Sequence, residues 1–433
     1  MSLRPYAPQE GERIFTVEAN AIRFGPGVLS EAGGVARDLG LKRVALFTDA
    51  NLARQPCLAE LRQSLVQAGL EVVIYDETRI EPTDRSFLTA ATFAAEGRFD
   101  GFVSLGGGSV IDTAKAANLY STWPADFLDY VAAPYGQAKP VPGPLKPHIA
   151  CPTTSGTGSE CTGVTVFDFE GQHIKTVVAD RRLRPTLALI DPTTTHSLPA
   201  GVVASTGFDV LTHAIESYTA RPFTVRPRPE NPTARPMSQG ANPWSDMGSL
   251  AAIRLGGLYL ERAVKDAADH EARHQVMYAA TLAGIAFGNS GVHIPHAMSY
   301  AVAGLCHRWT AKGYESAAPM VPHGISVVLN APAAFRFTAP AQPERHREAA
   351  EALGADVGNV PLAEAGRVLA DRLTHMMKAT GLPNGLSALG YGEADIEALA
   401  KGAATQPRLL VNSPRPAGEA ELRSIFAGSL RLW

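Results

Sequence analysis

Short apolar runs alternate with helix-patterned segments from Arg43 to Ile190, and after Asp191-Pro192 that alternation stops. The change of pattern constrains the fold more than any other feature of the chain. RVALFT at Arg43–Thr48, EVVIY at Glu71–Tyr75 and GFVSL at Gly101–Leu105 read as strands. Leu58–Ala68, Phe87–Glu96 and Val110–Leu119 read as the helices between and after them, and further strands are expected at His148–Cys151, Val164–Phe169 and Leu187–Ile190. Strand–helix units of about 30 residues predict a parallel sheet with helices on both faces. The proline-rich stretch Lys139–Pro147 reads as a stiff surface segment.

From about Leu198 the periodicity is helical. Ser205–Thr219, Met247–Val264, Glu271–Phe287, His296–Leu305, Gly324–Phe335, Leu362–Thr380 and Glu393–Ala403 are expected helices. Single hydrophobic cores stop growing at roughly 250–300 residues, and this chain has 433. The expectation is an α/β domain over residues 1–199 and an all-helical domain over 200–433. Arg221–Pro243 is a long loop rich in Pro and Arg, and unstructured stretches of that length within compact domains are often functional.

A formal net charge of −3 speaks against a nucleic-acid partner, and the sequence contains no apolar run of membrane-spanning length. Cys57, Cys151, Cys161 and Cys306 form no C-x-x-C pair and read as reduced thiols. The opening residues MSLRPYAPQEGERIF have neither the apolar core of a secretory leader nor the pattern of a transit peptide, so a cytoplasmic protein is expected.

Two loops carry the first chemical signal. In Ser104–Lys115 a strand enters Gly106-Gly107-Gly108 and a helix leaves, so backbone N–H groups at the helix start can approach an anion such as a pyrophosphate. Pro152–Glu160 (PTTSGTGSE) follows the end of another strand, at the edge where open α/β sheets bind ligands. Asp49, at the end of the first core strand, can accept from a ribose hydroxyl and so select NAD over NADP, or can cap a helix.

The second signal is a set of metal-binding residue types. Asp209 and His213 are four apart and share a helix face; His296 starts a later expected helix, with His293 three residues before it as a competing candidate, and His323 starts the next. One carboxylate and three imidazoles suit Fe(II) or Zn(II), with a position left for a substrate oxygen. Arg221, Arg226, Arg228 and Arg235 are opposed in their loop only by Glu230. Guanidinium groups suit substrate carboxylates, so Arg226 and Arg228 are candidate substrate residues; a solvated loop or a subunit contact is the alternative.

Taken together, GGGSVIDTAK, PTTSGTGSE, GFDVLTHAIESY, HIPHAMSY and VPHG resemble the iron-containing alcohol dehydrogenase family, and the resemblance runs over nearly the whole chain. EPTDRSFLTAATFA, NPTARPMSQGANPWSD and VPHGISVVLNAPAAFRF are similar to its hydroxyacid–oxoacid transhydrogenase branch. That branch moves a hydride from 4-hydroxybutyrate to 2-oxoglutarate through bound NAD, giving succinic semialdehyde and 2-hydroxyglutarate. A plain NAD-dependent alcohol or 4-hydroxybutyrate dehydrogenase is the alternative. A lyase of the dehydroquinate synthase type shares the architecture, but its phosphate-binding Lys/Arg/His set is not evident.

The resemblance implies a dinucleotide domain followed by a helical metal domain. It also implies Asp209, His213, His296 and His323 as ligands of Fe(II) or Zn(II). The implied NAD contacts are Asp49, Gly107, Gly108, Ser109, Asp112, Thr153, Thr154, Ser159 and Lys175. Tyr300 stands where many members carry a further histidine, so Tyr300 or His307 is the candidate proton relay. Small hydroxy and oxo acids are the implied substrates, and a homo-oligomer, dimer or larger, the implied assembly.

Overall fold

In the computed structural model, which describes Tyr6 and residues 11–172, 174–306, 308–311, 313–314 and 319–433, the chain divides into two compact units. One is Ala19–Ser197; the other joins Leu198–Trp433 to the described residues up to Glu18.

The first unit is built on a parallel sheet of six strands: β1 (Ala21–Phe24), β2 (Arg43–Phe47), β3 (Glu71–Tyr75), β4 (Gly101–Gly106), β5 (His148–Pro152) and β8 (Leu187–Ile190). Their spatial order is β1-β8-β5-β4-β2-β3. Helices α1 (Ala32–Asp38), α2 (Pro56–Gln67), α3 (Asp84–Gly97), α4 (Gly108–Thr122) and the short α5 (Phe127–Tyr130) connect them. Side chains alternate across β2, as strand geometry requires. Val44 and Leu46 pack with Val35 of α1 and Leu61 and Leu65 of α2, whereas Ala45 and Phe47 pack with Ala90 of α3 and Val110 and Ala114 of α4.

Strand order reverses at β2: the chain goes outward to β3, then returns past β2 to β4. In open α/β sheets, ligands bind outside the carboxyl ends of the strands at such a point. Asp49 follows β2, Gly107 and Gly108 follow β4, and Thr153 follows β5, so three sequence-predicted segments leave the sheet at this one edge. A separate antiparallel hairpin, β6 (Val164–Phe169) and β7 (Ile174–Ala179), pairs Asp168 with Lys175.

The second unit is helical: α6 (Ala200–Thr219), α7 (Pro243–Lys265), α8 (His270–Ser290), α9 (Ile294–Gly304), α10 (His323–Val328), α11 (Ala331–Thr338), α12 (Pro343–Ala352), α13 (Ala365–Ala379), α14 (Ile396–Ala404), α15 (Pro407–Leu410) and α16 (Glu419–Ser429). The expected single helix Gly324–Phe335 is two, α10 and α11, with Pro332 in the first turn of α11. Proline has no N–H to continue a helix and is tolerated at a new start. Phe208, Leu211, Ile215, Ile253, Leu260, Met298, Phe335, Leu373 and Phe426 lie in the shared core. Among the described residues, no helix is long and apolar enough to cross a membrane.

Hydrogen bonds explain why the N-terminal segment joins this unit rather than the α/β one. The Glu12 N–H donates to the Arg226 carbonyl at 2.7 Å. Thr16 exchanges two bonds with the Gln239 amide, at 2.7 and 2.8 Å, and the Glu18 N–H donates to Asn289 Oδ1 at 2.8 Å. All three partners lie more than 200 residues away, so the expected 1–199 boundary carried no trace of them.

Candidate active site

Helix α6 presents Asp209, His213 and Glu216 at positions i, i+4 and i+7, which places them along one face. Helix α9 brings His296, and the first residue of α10 is His323. The close approach of α10 depends on Gly324, where a Cβ would stand 1.9 Å from the Ser205 carbonyl oxygen and 3.0 Å from Asp209 Cβ.

Asp209, His213, His296 and His323 each offer one ligand atom, and these four atoms lie within 4.8 Å of one another. From Asp209 Oδ1 the distances are 3.7 Å to His213 Nδ1, 3.6 Å to His296 Nε2 and 3.9 Å to His323 Nε2. These exceed an N–H···O bond of about 2.7–3.2 Å. Asp209 Oδ1, His213 Nδ1 and His296 Nε2 are buried without a hydrogen-bond partner. Buried lone pairs without partners are costly, and a shared cation satisfies all three, so the donor set fits a divalent metal. His323 is the most exposed of the four, its side chain retaining 24% of its accessibility, and marks the open side.

Electrostatics within the cluster are uneven. Burial pulls the Asp209 carboxyl up, but the facing imidazoles, His213 foremost, hold it below the usual carboxylate range. Burial pushes His213 down to about 3. For His296 burial also opposes protonation, yet Glu216 and Asp209 carry it up to about 9. The His213 and His296 rings stack with centroids 4.4 Å apart, close enough that protonating one disfavours the other.

Two residues of this site were not singled out from the sequence. Glu216, fully buried, accepts from the His293 N–H at 2.7 Å and faces His296 Nδ1. Its place seven residues after Asp209 was the available signal. Phe287 of α8 stacks on His213 with centroids 4.0 Å apart and a 7° interplanar angle. His293, the competing ligand candidate, lies outside the four-residue group, with Nε2 at 3.1 Å from Thr219 Oγ1. Tyr300 sits one turn beyond His296, its ring centroid 6.4 Å from that of His323. His307 lies outside the described residues.

At the carboxyl edge of the sheet, a Cβ on Gly107 would stand 3.3 Å from Thr154, and one on Gly108 would stand 2.7 Å from Thr157 Cγ2. The two predicted loops therefore touch, and glycine permits it. Ser109 Oγ accepts from the Glu81 N–H at 3.3 Å. Asp112 and Ser159 bond each other at 2.5 Å, and Lys115 Nζ donates to Ser159 Oγ at 2.7 Å, which fastens α4 to the second loop. Lys175 is held between Glu81 and Asp168. Asp49 Oδ1 accepts from the N–H groups of Asn51 and Leu52, at 2.9 and 3.0 Å, a capping arrangement.

The arginine loop is only partly available. Arg226 donates to the Ser238 carbonyl, and Arg235 pairs with Glu12, with Nε at 2.8 Å from Oε2. Arg228 is exposed.

Residues 19–192 match the model of the family described as iron-containing alcohol dehydrogenase, and residues 236–430 match the model of its C-terminal part. The chain belongs to the iron-containing alcohol dehydrogenase family and is an oxidoreductase. It is 49% identical over 421 residues to the mitochondrial hydroxyacid-oxoacid transhydrogenase of Homo sapiens, covering 97% of this chain and 90% of that protein. The Xenopus tropicalis protein of the same name is 49% identical, covering 100% of this chain and 94% of its own length. Among solved structures, a 1,3-propanediol oxidoreductase superposes with a TM-score of 0.84 at 28% identity, covering 96% of this chain and all of that one. An alcohol dehydrogenase from Oenococcus oeni gives 0.83 at 27% identity, covering 96% and 100%.

These relatives correct one expectation. The transhydrogenases carry a mitochondrial designation, against the cytoplasmic expectation drawn from the opening residues.

Proposed function

We propose that this chain is a metal-dependent hydroxyacid–oxoacid transhydrogenase using NAD. The observation that carries the reading is the buried Asp209–His213–His296–His323 group, with three ligand atoms that have no hydrogen-bond partner. Identity of 49% to transhydrogenases over 97% of the chain supports the branch.

In the proposed reaction a hydroxy acid loses hydride from its carbinol carbon and a proton from its hydroxyl, becoming a carbonyl compound, and an oxo acid gains hydride at its carbonyl carbon and a proton at the carbonyl oxygen. Fe(II) or Zn(II) at this group would acidify a substrate hydroxyl and polarise a carbonyl, and a bound nicotinamide would carry the hydride between the two acids. The chain's own part is to fix the geometry. Asp209 and the three imidazoles hold the ion, and the buried walls around His213 and His296 keep water from the closed side. Tyr300, next to the open side at His323, is the proposed group for passing the hydroxyl proton.

For the cofactor, the proposal assigns the pyrophosphate to Gly107, Gly108 and Ser109, with Thr153 and Thr154 alongside. Asp112 and Ser159 act by fastening the two loops together. Asp49 and Lys175 complete the set, toward ribose hydroxyls. Arg228 is the proposed partner of a substrate carboxylate, with Arg226 beside it in the loop. Self-association into a dimer or larger assembly belongs to the same proposal and is tested by sedimentation velocity.

The deciding experiment incubates metal-loaded protein with 4-hydroxybutyrate and 2-oxoglutarate, without added NAD, and measures 2-hydroxyglutarate by mass spectrometry. Repeated turnover is expected. NADH formation only when NAD is supplied would replace the reading by a dehydrogenase that uses free cofactor.

A further inference from the structure

Glu216 is a carboxylate with no exposed surface in the helical unit, and nothing in the ligand group requires it as a ligand. Its two oxygens are divided between two tasks. Oε1 accepts from the His293 N–H at 2.7 Å and the His296 N–H at 3.4 Å, at the N-terminus of α9. Oε2 faces His296 Nδ1. The opposite ring nitrogen, Nε2, is the one aimed at Asp209 Oδ1, and it has no hydrogen-bond partner.

We infer that Glu216 is the positioning residue of the metal centre: it accepts the Nδ1 proton of His296 and thereby keeps Nε2 as the ligating atom. The inference rests on the metal-centre reading above. Neutral imidazole carries one proton, and whichever nitrogen holds it cannot ligate. A carboxylate can only accept, so it selects the tautomer with Nδ1 protonated. The backbone donors at His293 and His296 fix the carboxylate, and the carboxylate fixes the ring. Carboxylate–histidine–metal chains of this kind orient the ring and raise ligand basicity.

Glu216→Gln separates this role from packing, because the amide has the same shape. An amide that keeps its oxygen on the His293 N–H turns its NH2 toward His296 Nδ1. The imidazole must then accept at Nδ1 and carry its proton at Nε2, the ligating atom. The reverse amide orientation sets NH2 against the His293 N–H. The first orientation blocks the ligating nitrogen with a proton, and the second sets one donor against another.

The test compares Zn(II) affinity, by chelator competition, of metal-free wild type and E216Q, with thermal melting of both metal-free proteins alongside. The expected result is a 10–100-fold weaker Zn(II) affinity with a cooperative melt retained. Equal affinities in a folded E216Q would overturn the inference while leaving the metal centre standing. A wild type that takes up no Zn(II) would overturn the metal-centre reading and this inference with it. Should E216Q not fold, the Zn(II)-loaded wild type answers directly. Its histidine ring 15N spectrum is expected to show His296 protonated at Nδ1 and metal-bound at Nε2, and metal at Nδ1 overturns the assignment.

Discussion

Gly324 stands so close to Ser205 that a Cβ on the glycine would lie 1.9 Å from the Ser205 carbonyl oxygen. The obstacle is backbone, which cannot rotate away as a side chain can. Gly324→Ala must therefore push α10 from α6, and His323 moves with it. Overpacking of this kind costs about 1–3 kcal/mol. The expected outcome is a lower melting temperature and metal content reduced well below one ion per chain, measured by atomic emission. Full metal loading in a Gly324→Ala protein would show that His323 is not needed as a ligand.

Metal removal should destabilise the helical unit. A ligand that binds only the folded state contributes RT ln(1 + [L]/Kd), about 2.7 kcal/mol at a hundredfold excess over Kd. Chelation is expected to abolish turnover and lower the melting temperature, and Fe(II) or Zn(II) to restore both. Asp209→Asn, which removes the only carboxylate of the four-residue group, should melt at one temperature with or without metal.

The sheet could be read from the sequence because most of its strands are apolar over several residues: β2, β3, β4 and β5 fall where RVALFT, EVVIY, GFVSL and HIAC stand. The edge strand β1 was not legible, since three of its four residues are exposed and its pattern is that of a loop. Helix α12 escaped for a related reason, PERHREAAEA being dominated by charge. Of the four-residue group, Asp209 and His213 were legible from helical spacing and His323 from the P-H-G turn that marks a helix start, whereas the choice of His296 over His293 came from the family resemblance. Arg235 was misleading. Its partner, Glu12, lies 223 residues away, and no local pattern could reveal it.

That pairing divides the arginine loop into two testable parts. Arg235→Ala removes charge-assisted bonds to a nearly buried carboxylate and should cost about 1–3 kcal/mol, read as a lower urea midpoint. Arg228→Glu alters an exposed residue and should leave the midpoint within experimental scatter. If Arg228 meets a substrate carboxylate, its reversal raises the KM for 2-oxoglutarate several-fold more than that for an uncharged alcohol. Equal effects on the two substrates would remove it from the binding site.

His148, in β5, gives the α/β unit a signed pH dependence. It lies beside Ser104 Oγ at 2.8 Å, and burial, with Lys115 adding to it, pushes it from an ordinary 6.5 down to about 3. Above the ordinary value the ring is neutral folded and unfolded, and its contribution to stability is fully present. As pH falls below that value the unfolded chain takes up a proton that the folded chain refuses. Stability is then lost at about 1.4 kcal/mol per pH unit until the folded pKa is reached. His148→Gln retains a hydrogen-bonding side chain without the titration. Urea midpoints measured from pH 7 to pH 4 should fall less steeply in the variant, and parallel curves would assign the acid lability to other groups.

The contact between the two glycine-rich loops can be tested by a pair of substitutions. A Cβ on Gly108 would stand 2.7 Å from Thr157 Cγ2 and 2.9 Å from its Oγ1. Thr157 cannot turn aside without cost, because its Oγ1 accepts from the Ser159 N–H at 3.3 Å and Ser159 is tied to Asp112. Gly108→Ala should therefore shift the second loop and weaken NAD binding, by about tenfold if 1–2 kcal/mol of the overpacking cost is felt at the site. Replacing Thr157 with Ala as well makes room for the new methyl group, so the double variant should bind NAD more tightly than Gly108→Ala alone. Calorimetric titration with NAD distinguishes the two cases. If the second substitution brings no recovery, the glycine is required for the cofactor's own approach to the backbone rather than for the spacing of the loops.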